Sequence, residues 1–173
     1  MQAMHRRAPD SSGAHAGVSE KVHFDTNSEN AAAKADIAIG FDYGARRIGV
    51  AIGNRLAHSA RALAVVANSA QGPDWKHIDT LVREWRPDLL LVGLPLTLGD
   101  GEQEASRAAR SFAEALKQRF SLPIEFIDER SSSREAAQRF AARRASGTAK
   151  RKQAAELDAV AAEIIVERWL NGN

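Results

Sequence analysis

The chain has 173 residues, 44% hydrophobic and 27% charged, which suits one domain of average size and leaves no room for two full ones. Mean hydropathy is −0.36, and no apolar run approaches the ~18 residues that a membrane-spanning helix needs. The absence of cysteine excludes a disulfide scaffold, a thiolate metal site, a Cys nucleophile and an iron–sulfur centre, and the net charge of +2 is too small to indicate a partner by itself.

Residues 1–35 mix Ser, Ala, His, Asn and Gly with balanced charge and no amphipathic period. They lack the apolar core of a secretory signal, and Asp10, Glu20, Asp25 and Glu29 argue against a transit peptide. This segment is expected to be a disordered N-terminal extension. Residues 36–173 are expected to form the single folded domain.

From Asp36 the pattern changes. Asp36–Tyr43 and Arg47–Gly53 alternate with period two around a short Gly-containing turn, which predicts a hairpin. Arg61–Val66 extends it as a third strand. Trp75, Ile78, Val82 and Trp85 then recur at helical spacing. Asp88–Leu94 is a nearly continuous apolar run, the mark of a strand buried on both faces. A helix follows, with Ala105, Ala108, Ala109, Phe112 and Leu116 on one side, and then the short strand Ile124–Asp128. Ser132 and Glu135 make a capping box for a further helix. After a polar Ser-Gly-Thr-Ala-Lys loop, a last helix runs from about Ala154 to Leu170. The order βββαβαβαα predicts an α/β fold: a five-stranded mixed sheet, its first three strands antiparallel, with helices on both faces.

Alternation gives the first two strands a bulky face (Ile37, Ile39, Phe41; Ile48, Val50, Ile52) and a small one (Ala38, Gly40, Asp42; Gly49, Ala51, Gly53). Small residues let another backbone or a ligand approach the sheet. Asp42 ends the small face, where it either meets a cation or organises the turn at Tyr43-Gly44. Asp158 lies on or beside the apolar stripe of the last helix, with Ala161, Ala162 and Ile165, whereas a solvated acid would fall on the side of Glu156, Glu163 and Glu167. Asp128 and Glu129 end a buried strand, where ligand sites of α/β sheets gather, and alternation does not choose between them. The five histidines, His5, His15, His23, His58 and His77, show no ligand spacing. Carboxylates from strand one, a later strand end and a closing helix make a hard-oxygen set suited to Mg²⁺ or Mn²⁺ and to two-metal phosphodiester hydrolysis. Between two of those acids, Arg130–Lys152 carries eight basic residues and one acid, Glu135. Such a block is either a solvated face or countercharge for a nucleic-acid backbone, for which arginine's planar fork is suited.

The strings FDYGARRIGVAIG, VGLPLTLGDG, IDERSSSREA and ELDAVAAEIIV, in that order, resemble the YqgF/RuvX family of Holliday junction resolvase-like proteins regarded as pre-16S rRNA nucleases. The resemblance covers Asp36 to about Leu170. It implies a ribonuclease H-like fold, a cytoplasmic protein, and a metal-dependent endonuclease that processes the 5′ end of pre-16S rRNA in ribosome biogenesis. Residue by residue, it implies that Asp42, Glu129 and Asp158 are the catalytic acids and hold the Mg²⁺ or Mn²⁺. Phosphate contacts are expected from Arg46, Arg130, Arg134, Arg143, Arg144, Lys150, Arg151 and Lys152. Ser131 and Thr97 depart from the family pattern, which commonly has leucine and asparagine there. The implied partner is structured RNA, with the protein a monomer or weak dimer. A resolvase acting on branched DNA and a non-catalytic nucleic-acid-binding module are the alternatives. Retention of all three acids favours an enzyme.

Overall fold

Alternation at the start of the domain produces the hairpin that frames the rest. In the computed structural model, which describes residues 34–95, 100–128 and 152–172, β1 (Ile37–Tyr43) pairs antiparallel with β2 (Arg47–Asn54). β3 (Ser59–Ser69) pairs antiparallel with β2 and is longer at both ends than its apolar run suggests. The continuous apolar run forms β5 (Leu89–Leu94), parallel to β1, and β6 (Ile124–Asp128) lies parallel beside it. Between β3 and β5 comes β4 (Gly72–Pro73), and the sheet order is β4-β3-β2-β1-β5-β6.

The sheet therefore has six strands rather than the five expected. The addition is β4, in which Gly72 and Pro73 pair with Ser69 and Asn68. Gly72 sits at φ 99°, a conformation that glycine adopts without steric penalty, and so the chain can fold back at once. Two residues cannot show a period, which is why alternation gave no sign of this strand.

Three helices are described. α1 (Trp75–Trp85) starts where the Asp74 carboxylate accepts the His77 backbone N–H at 3.1 Å. It ends where Arg86, left-handed at φ 45°, donates its N–H to the Val82 carbonyl. α2 (Asp100–Phe120) and α3 (Lys152–Leu170) complete the set. α1 and α2 cover the bulky sheet face, where Ile39, Phe41, Ile48, Val50, Leu90 and Val92 pack with Ile78, Phe112 and Leu116. α3 covers the small face, where Ala38, Ala51, Leu89 and Leu91 pack with Ala162, Ile165, Val166 and Trp169. Ala35 already belongs to this second core. Residues 1–33 of the expected N-terminal extension (1–35), the helix opened by Ser132 and Glu135, and the polar loop before α3 lie outside the described residues. Among the described residues no helix is long and apolar enough to cross a membrane.

Candidate active site

The small face determines how α3 sits. A Cβ built on Gly49 would overlap the Asp158 carbonyl oxygen, and one on Gly40 would come within 2.5 Å of Val166 Cγ2. Helix α3 thus occupies the space that side chains would otherwise fill, with its backbone at Gly49 and with the Val166 side chain at Gly40. Gly49 is also the register partner of Asp42. Directly opposite residues of an antiparallel pair point to the same face, with Cβ positions roughly 4.5–5.5 Å apart. Asp42 therefore leaves the sheet beside the spot that the Asp158 backbone covers. A strand acid and a helix acid share one end of one face.

Arg47 joins them. Its Nε donates to Asp158 Oδ2 at 2.6 Å, and neither side chain is buried, at 45% and 25% exposure. The turn between Asp42 and Arg47 is held from β3. Asn68, the buried polar residue among those described, donates its backbone N–H to the Arg46 carbonyl at 2.9 Å and its Nδ2 to the Gly44 carbonyl at 2.8 Å. Gly44 N–H bonds the Arg47 carbonyl at 3.0 Å. Arg46 is exposed on this pinned turn. On the other side, the guanidinium of Arg168 in α3 donates to the Asp128 carbonyl, tying the carboxyl end of β6 to the same helix.

Of the expected acids, Asp42 and Asp158 are brought to one end of the α3 face, and Glu129 lies outside the described residues. Asp128 is described: Ile127 packs in the α3-side core, so Asp128, one residue on, falls on the opposite face. Among the described residues no group of three or more His, Asp or Glu forms a metal cluster. The donors present, two carboxylates of hard oxygen, suit Mg²⁺ or Mn²⁺ and offer nothing to a soft metal. Of the expected phosphate contacts, Arg46 is described and Lys152 is the first residue of α3. Arg130, Arg134, Arg143, Arg144, Lys150 and Arg151 lie outside the described residues.

Sequence reasoning missed two residues. Arg47 was legible, because it lies two positions before Gly49 and shares the small face by alternation. Asn68 was not, because its role depends on contacts from β3 to a turn 22 to 24 residues away.

A family model described as "RuvX: Holliday junction resolvase" matches residues 36–172. The chain belongs to the RuvX family. A relative from Xanthomonas oryzae pv. oryzae named "Putative pre-16S rRNA nuclease" is 57% identical over 132 residues, spanning 76% of this chain and 85% of that protein. A protein of the same name from Xanthomonas campestris pv. campestris is 56% identical over 133 residues, spanning 77% and 86%. The RuvX chain described here is accordingly a nuclease, a hydrolase of phosphodiester bonds, built on a six-stranded mixed α/β sheet. Among solved structures, Thermus thermophilus RuvC bound to a Holliday junction aligns at TM-score 0.45 and 16% identity, over 76% of this chain and 90% of that one. A likeness at that level bears on neither substrate nor mechanism.

Proposed function

We propose that this protein is a metal-dependent endonuclease that processes the 5′ end of pre-16S rRNA in the cytoplasm, with Asp42, Glu129 and Asp158 as its acids. The observation that carries the reading is the shared position of Asp42 and the Asp158 backbone at Gly49. The substrate follows from the similarity to relatives named as pre-16S rRNA nucleases. Asp42 and Asp158, with Glu129, would hold Mg²⁺ or Mn²⁺. A divalent ion bound there supplies Lewis-acid charge to the phosphate oxygens and acidifies a bound water.

The chain's own residues do the rest. The backbone of Asp42 is fixed by strand pairing and that of Asp158 by close helix packing, so the positions from which both carboxylates reach are preorganised. Arg47 neutralises Asp158 and is exposed enough to reach a phosphate at the same time. Arg46 presents a second guanidinium on the turn that Asn68 holds. The basic residues of Arg130–Lys152 supply countercharge along the RNA backbone.

Asp42→Asn tests the assignment. It keeps shape and hydrogen bonding but removes a charge. Cleavage of structured RNA carrying the 16S 5′ leader should fall below detection in Mg²⁺. Binding should stay equal or tighten, because a carboxylate no longer faces phosphate. Wild-type cleavage by the variant would remove Asp42 from the site. The family description makes a four-way DNA junction the necessary second substrate. Preferential cutting of the junction would replace the RNA reading with a resolvase.

A further inference from the structure

We propose that a cavity on the opposite side of the β1–β2 turn from the acids is a nucleobase subsite, taking one unpaired base of the substrate stacked on Tyr43 and paired with Glu104. The proposal rests on the nuclease reading above and adds to it the substrate feature that the site selects. The cavity has a volume of about 510 Å³ and is lined by Tyr43, Ala45, Asn68, Gly72, Glu104 and Ala108 among others. That size is in the range of small-ligand pockets, roughly 300–1,000 Å³.

Its chemistry narrows the occupant. Tyr43 is half-buried and backed by Phe112, with ring centroids 4.9 Å apart and planes tilted by 32°. Trp75 supports Phe112 in turn, at 5.8 Å and 29°. Three rings in series make a stiff aromatic wall. The lining also includes Ala105 and Ala108 of α2, whose small side chains leave space rather than filling it. Asn68 cannot swing into that space, because its amide and backbone are bonded to the turn. The charged residue of the lining is an acid, Glu104, so a phosphate is repelled and N–H donors are attracted. A flat, neutral heterocycle with donors on its edge fits these terms. Guanine fits best, since its N1–H and N2–H₂ are adjacent and meet the two oxygens of a carboxylate.

The position relates this cavity to the scissile phosphate. Asp42 and Tyr43 are consecutive, their Cα atoms ~3.8 Å apart, and alternation sends one to each face of the sheet. Arg46 and Arg47 belong to the turn between the two sides. A strand crossing that turn would lay phosphates against the arginines and acids and drop a neighbouring base against Tyr43. Splayed bases stacked on aromatic side chains are how single-stranded segments are commonly recognised.

The test uses full-length protein in EDTA, so that binding is read without cleavage. Three RNAs are compared by fluorescence anisotropy: a hairpin with an unpaired guanosine beside the stem, the same with uridine, and the blunt stem. Wild type should bind the guanosine hairpin about tenfold tighter than the blunt stem, the order expected for one stacked base. Tyr43→Leu removes the stacking ring, and Ala108→Phe fills the cavity from α2. Each should abolish the advantage while leaving blunt-stem affinity and its salt slope unchanged. Since the two changes lie on different elements, misfolding of one leaves the other decisive. Glu104→Ala should equalise guanosine and uridine. If wild type prefers no unpaired base, or both cavity variants keep the preference, the subsite is wrong and the nuclease reading stands. If wild type binds none of the RNAs, the RNA-nuclease reading fails and the subsite with it.

Discussion

The two faces of the central hairpin are built on opposite plans. Toward α1 and α2 it offers Ile39, Phe41, Ile48 and Val50, all fully buried, and these interdigitate with Ile78, Phe112 and Leu116. Toward α3 it offers Ala38, Gly40, Gly49, Ala51 and Gly53. The first face contributes apolar area removed from water, the main favourable term in folding. The second contributes closeness, because α3 can lie on it with its backbone against Gly49 and its Val166 side chain against Gly40 and Gly53. Only the second plan brings a helix aspartate to the end of strand one. The face with the least side chain carries the acids, and the face with the most holds the domain together.

Substitutions on the two faces should therefore separate stability from activity. Leu116→Ala, on the bulky side, empties a fully buried position and should lower unfolding free energy by about 2–5 kcal/mol. The activity of the molecules that remain folded should match wild type, as Leu116 touches only the α1 and α2 core. Gly49→Ala adds one methyl group against a carbonyl that cannot turn aside. Overpacking of this kind destabilises by about 1–3 kcal/mol. Here it should also displace Asp158 from Asp42, so cleavage should fall far more than the folded fraction does. Urea unfolding and turnover measured on the same samples decide the matter. Proportionate losses in Gly49→Ala would mean that close packing of α3 has no part in the site.

Much of this division was legible in the sequence. Period-two alternation separates large from small residues over Ile37–Gly53, and the face of Asp158 follows from a 3.6 period alone. What was not legible depends on contacts between distant segments. The two-residue β4 has no period to read. Asn68 is one polar residue in an alternating strand, and its value lies in bonds to Gly44 and Arg46. The extra length of β3 comes from pairing with β2 and, at Asn68 and Ser69, with β4, rather than from its own apolar content. Arg47 was missed for a different reason: its face was legible from alternation, but a basic residue at a strand's start reads as solvated until its partner Asp158 on α3 is seen.

Arg47 sharpens the comparison with a smaller effect. The pair that it forms with Asp158 is largely open to water, so Arg47→Gln should change stability by less than about 1 kcal/mol. Its consequence should appear in substrate binding instead. Losing one phosphate-contacting cation should weaken RNA affinity and reduce the slope of log K against log salt by about one. An unchanged slope would make Arg47 a tie between hairpin and helix and nothing more.

The smallest expected effect is a difference in sign between acids on the two faces. Glu125 pairs in register with Leu91, which packs in the α3-side core, so it too faces α3. Burial raises its pKa, and the charge of Arg55 only partly offsets this. A carboxyl raised in the native state binds its proton more tightly folded than unfolded. Its contribution is thus present at acid pH and is lost as the pH rises through the raised value. On the other side, Asp79 of α1 is held below its ordinary value by the Arg119 guanidinium, which it meets at 2.6 Å. That contribution runs the opposite way: it is present above the unfolded value and is lost as the pH falls through the lowered one. Urea midpoints over roughly pH 3 to 7, the span in which carboxylates titrate, should therefore respond oppositely to neutralising each acid. Glu125→Gln should raise stability at neutral pH and remove a gain on acidification. Asp79→Asn should lower it slightly at neutral pH and remove a loss. Both changes will be modest, the second especially, because the Asp79–Arg119 pair is solvent-exposed and screened. A Glu125→Gln protein less stable than wild type at neutral pH would mean that the attraction of Arg55 outweighs burial. Glu125 would then be a stabilising member of the α3 face rather than a charge held against its preference.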